Sequence, residues 1–215
     1  MDERDSGSRA AVGLVVKSGW AAAVLLTGSP ASPRVADSRR IELSDPAIPE
    51  SRQPYHSGFG TARGSGAELR RLVGVVRRFG RRSVTAVIRN YTTTAGRPLA
   101  GAGVVVGSLI DPDRIANDHI RIHALEGQLF RGVVQDAAMK SALTCSIWRD
   151  RDLYAEAAEA LGQPEAHIRS AVVALGRSVA GSWRAEQKSA TIAAWLVLAA
   201  SGGAARARGP LRGTR

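Results

Sequence analysis

The chain has 215 residues, 30 Lys+Arg against 19 Asp+Glu, and a net charge of +11. With 44% apolar and 23% charged residues it has the make-up of a folded protein and excludes a chain disordered throughout. The single cysteine, Cys145, excludes an internal disulfide framework and a cysteine-based zinc finger.

Taken along the chain, residues 1–9 (MDERDSGSR) have little to bury and are expected to be disordered. A single domain over 10–200 follows. The apolar stretch 10–28 is preceded by acidic MDERD and interrupted by Lys17, which argues against a signal peptide. Val12–Val16 and Ala21–Leu26, split by Lys17-Ser-Gly, read as an antiparallel hairpin. A third strand is expected over 34–43. The Pro/Ser/Gly-rich stretch 44–65, containing Gln53-Pro-Tyr-His56, reads as a long loop of the kind that often carries function.

The spacing of Leu69, Leu72, Val73, Val76 and Phe79 predicts a helix over 67–79, ended by Gly80. Arg70, Arg71, Arg77 and Arg78 gather on its other face, and Arg81 and Arg82 follow. Such a concentration of guanidinium groups suits phosphate-backbone contact, so nucleic acid is the partner it suggests. The β-branched run 83–89 predicts a strand, as does 102–109. Asp111 and Asp113 read as a helix-start turn before a helix over 114–142. A strand over 143–148 and helices over 153–161, 165–177 and 185–200 complete the domain. Cys145 reads as an inert thiol of the core. The apolar part of the last helix, 190–200, is too short to span a bilayer, so no membrane partner and a cytoplasmic location are expected. The remainder, 201–215, reads as a flexible basic tail carrying Arg206, Arg208, Arg212 and Arg215.

Two constellations carry possible chemistry. His119, His123 and Glu126 form His-x3-His-x2-Glu, which on a helix places all three within about 60° of one another. That face could hold one transition metal, although it lacks the Glu beside the first His found in zinc proteases. Lys17, Glu126, Glu186 and Lys188 could meet at one end of the sheet and bind a phosphate.

Three strands, then helices alternating with further strands, imply an α/β fold whose mixed sheet joins an antiparallel meander to parallel strands and is flanked by helices. This order, with the Val12–Leu26 hairpin and the Ala-rich helix that follows Arg184-Ala-Glu-Gln-Lys188, resembles the ribonuclease H-like superfamily, in its Holliday-junction-resolvase and pre-ribosomal-RNA-nuclease branch. The resemblance covers about residues 10–200. It implies three acids: one on the first strand, one after a central strand with Glu126 as candidate, and one on the last helix with Glu186 nearest. Such acids hold two Mg²⁺ ions in that family, so Mg²⁺ or Mn²⁺ would be the cofactor of a nuclease reading. Here Lys17 stands where the first acid belongs, and Lys188 occupies one register of the last. A lysine among such acids repels the metal ion, by on the order of 4 kcal/mol per unit charge at about 4 Å and an effective dielectric near 20. The expectation is a nucleic-acid-binding protein with a degenerate or altered nuclease site, in which any cleavage would be phosphodiester hydrolysis with Glu126 as ligand or base. The alternatives are a non-catalytic scaffold for a protein partner and a single-metal enzyme.

Overall fold

The structure is a computed structural model that describes residues 9–58, 61–63 and 66–206. Strands β1 (Arg9–Lys17), β2 (Trp20–Ser29) and β3 (Ser32–Glu42) form the expected meander. The expected disorder of residues 1–8 falls outside the described residues; Arg9 opens β1. A small hairpin, β4 (His56–Gly58) and β5 (Thr61–Ala62), precedes α1 (Ala67–Ala95). Then come β6 (Ala102–Val106), α2 (Asp118–Lys140), β7 (Cys145–Arg149), α3 (Leu153–Leu161), α4 (Glu165–Leu175) and α5 (Ala185–Arg206). The main sheet has the order β3-β2-β1-β6-β7, with β6 parallel to both β1 and β7. This is a ribonuclease H-like α/β fold: an antiparallel meander extended by parallel strands and flanked by helices.

Strand alternation sorts the side chains into two cores. Val12, Leu14 and Val16 of β1 pack with Val76, Tyr91, Phe130 and Val134 of α1 and α2. Ala11 and Val15 pack on the other face with Leu153, Ile168, Ala190 and Ala194 of α3, α4 and α5. On that second face α5 sits unusually close. A Cβ at Gly13 would overlap the Ala190 carbonyl, so glycine is what admits the helix backbone to the strand.

The largest difference from the sequence reading is α1. Gly80 does not end a helix, and residues 83–89 are not a strand. One helix of 29 residues runs through both. Its buried residues Leu72, Val76, Gly80, Val84, Val87 and Tyr91 recur at helical spacing, so Val84, Val87 and Ile88 are core positions of a helix despite being β-branched. Gly80 is there because the helix presses on its neighbours. A Cβ would lie 2.9 Å from the Leu43 carbonyl oxygen and 2.8 Å from Val133 Cγ1. Near its end the buried Tyr91 donates its hydroxyl to the Ala23 carbonyl of β2 at 3.1 Å.

Smaller corrections concern boundaries. Strand β6 stops at Val106, short of 109, and β7 starts at Cys145. The turn at Asp111 is a short 3-10 helix over Pro112–Arg114, capped when the Asp111 carboxylate accepts from the Asp113 amide. Helix α2 begins only at Asp118, where the Asn117 side chain accepts from the Ile120 amide. Helix α4 ends at Leu175 and continues as a 3-10 turn over Gly176–Ser178. Helix α5 runs on to Arg206, and Arg208, Arg212 and Arg215 of the expected tail lie outside the described residues. Among the described residues no helix is long and apolar enough to cross a membrane.

Candidate functional site

The stretch 44–65 is not a featureless loop. A 3-10 turn over Pro49–Arg52 leads to β4, and Arg63 ties the segment together by donating to the carbonyls of Pro54 at 3.1 Å and His56 at 2.9 Å. This packing carries His56 to α2. Its Nδ1 is hydrogen-bonded to Glu126 Oε1 at 2.8 Å. Glu126 is fully buried, and its second oxygen, Oε2, has no hydrogen-bond partner among the described residues. Burial pushes the carboxyl above the usual glutamate range, and His56, the Tyr55 backbone and the Ser18 hydroxyl oppose that without cancelling it.

His119 and His123 stand on the same turn of α2. Their Nε2 atoms are 3.3 Å apart and their rings meet edge to face with centroids 4.6 Å apart. The His56 ring lies 5.0 Å from that of His123. His56, His123 and Glu126 can each present a ligand atom within 4.8 Å of the others. Of the face expected from His119, His123 and Glu126, the last two fall in this group, a distant imidazole joins them, and His119 stands outside it beside His123. Ligand spacing within one helix cannot reveal His56, which comes from a segment 70 residues away. The available signal was a histidine after Pro-Tyr in a loop too long to be a mere connection. Partial burial, with the charges of His119 and His56 nearby, holds His123 below the ordinary histidine range.

The other proposed set is divided by the sheet. Lys17 is the last residue of β1 and pairs with Trp20, which packs on the α5 side. Cross-strand partners share a face, so Lys17 belongs to that side too. Glu186 and Lys188 lie in the first turn of α5. Glu126 projects from α2, which covers the opposite face. Lys17, Glu186 and Lys188 make no ion pair with Glu126, with one another or with any other described residue. At the α5 start the buried Ser189 donates to Asp150 Oδ1 at 2.9 Å, and the Asp150 amide donates to the Val106 carbonyl at 2.9 Å. Asp150, just past the end of β7, is thus the carboxylate that the structure brings to α5; Glu186 lies one turn before Ser189 on the same helix face.

These residues do not fit the two Mg²⁺ ions implied by the family resemblance. The end of β1 offers an ammonium, and among the described residues the one group of three or more carboxylate or imidazole ligands is His56, His123 and Glu126.

Continuity of α1 changes the arginine face. At about 100° per residue Arg70, Arg71, Arg77, Arg78, Arg81 and Arg82 fall within about 140°, and Arg89 joins them. Arg71 pairs with Glu68 at 2.9 Å and Arg81 with Asp136 at 3.6 Å. Arg70, Arg77, Arg78 and Arg89 are exposed and have no ion-pair partner among the described residues. Arg82 lies over the Phe79 ring, 5.2 Å from its centroid. A groove of about 410 Å³ is lined by Arg78, Arg81, Arg82 and Arg89 with Thr85 and Ala86. On the other flank a cleft of about 430 Å³ between α1 and α2 is lined by Tyr55, Arg77, Arg81 and Asp136 among others.

Solved structures share this arrangement of strands and helices. Thermus thermophilus RuvC superposes with a TM-score of 0.52 over 90% of this chain and 96% of its own, at 12% identity. The chain is similar in fold to RuvC. T. thermophilus RuvC in complex with a Holliday junction substrate matches at a TM-score of 0.51 and 13% identity, over 91% of this chain and 96% of RuvC. At such identity the likeness to RuvC is one of fold. No protein-family model and no curated protein matches the chain.

Proposed function

We propose that this chain is a ribonuclease H-like protein that binds nucleic acid through the arginine face of α1, with a nuclease-type site altered at its centre. The observation that carries the reading is the arginine row itself. Arg70 to Arg89 extends about 28 Å along one uninterrupted helix at 1.5 Å per residue, and four of its members have no intramolecular partner among the described residues. Unpaired guanidinium groups are free to replace the counterions of a phosphate backbone. The RuvC neighbour in complex with a Holliday junction supports nucleic acid as the partner class, and a branched duplex as the first ligand to try.

In this reading Lys17 and Lys188 supply fixed positive charge where the family places metal-binding acids, so phosphate is held there without two metal ions. Asp150 and Glu186 stand at the same end of the sheet. Glu126 is committed to His56 on the other side.

The test is anisotropy of labelled four-way junction, duplex and single-stranded DNA at several salt concentrations. The expected result is binding that weakens steeply with salt. Changing Arg70, Arg77, Arg78 and Arg89 together to Ala should reduce the slope of log affinity against log salt by about 3 to 4 on duplex, at roughly 0.9 per phosphate contact. No binding by the wild type, or a slope unchanged in the variant, would overturn the reading and favour a scaffold for a protein partner.

A further inference from the structure

We infer that His56, His123 and Glu126 bind one divalent transition-metal ion, with His119 as an additional donor at the rim. The inference stands apart from the nucleic-acid reading. It rests first on convergence: two elements separated by 70 residues bring a ligand atom from each of the three within 4.8 Å. Second, the Glu126 carboxylate is fully buried with Oε2 unpartnered among the described residues. A buried oxygen left without a partner is costly, and a cation beside it removes that cost. Third, His119 stands beside His123 at the open edge of the group, their Nε2 atoms 3.3 Å apart.

The donors define the class of metal. Imidazole nitrogens with one carboxylate suit Zn²⁺, Co²⁺ or Ni²⁺, whereas Mg²⁺ and Ca²⁺ call for oxygen throughout. A tetrahedral ion held by His56, His123 and Glu126 keeps a fourth position open to water. Because His56 lies in β4, the ion would clip the 44–63 segment onto α2.

The test uses the full chain without a polyhistidine tag, stripped of metal and titrated with Co²⁺ and Zn²⁺ by absorption and calorimetry. The expected result is one equivalent bound, with visible Co²⁺ bands of tetrahedral intensity that Zn²⁺ abolishes and millimolar Mg²⁺ does not. His56→Ala and His123→Ala should each weaken binding by more than about 100-fold, beyond the usual cost of losing an outer-shell partner. His119→Ala should weaken it by about tenfold, and His167→Ala, an exposed histidine on α4, should leave it unchanged. His123 is exposed, so His123→Ala tests the site even if a change at buried Glu126 prevents folding. Absence of stoichiometric binding, or binding that survives both His56→Ala and His123→Ala, would overturn the inference.

Discussion

The Nδ1 of His56 lies 2.8 Å from Oε1 of Glu126, joining a strand of the 44–63 segment to the inner face of α2 across 70 residues of chain. The bond ends on a fully buried carboxyl group. It also orients the His56 ring, since a neutral imidazole that donates from Nδ1 leaves its Nε2 lone pair free.

Glu126 should therefore titrate against folding. Its carboxyl is held above the ordinary 4.5, so the folded state favours the protonated form. The contribution of this group to stability is greatest below that value and is lost as pH rises through the folded pKa. Glu126→Gln keeps an acceptor for His56 and removes the titration. The melting temperature of the variant relative to wild type is expected to rise between pH 4 and pH 7, in the absence of added metal. A constant difference across that range would contradict the assignment. Glu126→Ala, which leaves the His56 Nδ1–H without its acceptor, should cost about 1–3 kcal/mol in urea unfolding.

His123 shifts the other way. Held below 6.5 by burial and by the charges of His119 and His56, it favours the neutral form when folded. Its contribution is fully present above the unfolded value and is lost as pH falls through the folded one. Acidification below about pH 6.5 should lower the melting temperature of the wild type more than that of His123→Ala. NMR titration of the ring protons would give the same ordering directly.

Gly80→Ala separates two accounts of one glycine. In a helix with room to spare, alanine would stabilise by about 1 kcal/mol. Here its Cβ would meet the Leu43 carbonyl at 2.9 Å, and a backbone atom gives way less readily than a side chain. The expected outcome is a loss of about 1–3 kcal/mol, measured by denaturant unfolding.

Asp136→Asn probes the arginine face from the opposite sign. Asp136 sits 3.6 Å from Arg81 and lines the cleft between α1 and α2. Neutralising it frees Arg81 and removes an acid from the path of a phosphate. On the proposed function, affinity for duplex should rise about twofold at low salt, in keeping with a surface pair of about 0.5 kcal/mol, and the gain should fade as salt is raised.

The meander and the alternation of strands and helices were legible because apolar runs and turn residues act locally. Helix α3 was expected at 153–161 and lies there. What misled in α1 was non-local. By propensity Gly80 ends a helix, while its reason is the approach of Leu43 and Val133, and Val84, Val87 and Ile88 favour a strand locally although they follow the burial period of a long helix. The same limit applied to the site. His119, His123 and Glu126 share one helix, so their spacing brought them together on paper. His56 comes from a separate segment, and only the packed chain shows the two side by side. Lys17 and Glu126 looked like neighbours at one end of a sheet, but strand alternation and helix layering put them on opposite faces.

Tyr55 and His56 are adjacent in sequence yet serve two compartments. Tyr55 is packed against the α1–α2 core and forms a wall of the cleft beside Arg77 and Arg81, while His56 reaches Glu126. One peptide unit therefore borders both places: the wall of the basic cleft at Tyr55 and the hydrogen bond to Glu126 at His56 share a single stretch of backbone.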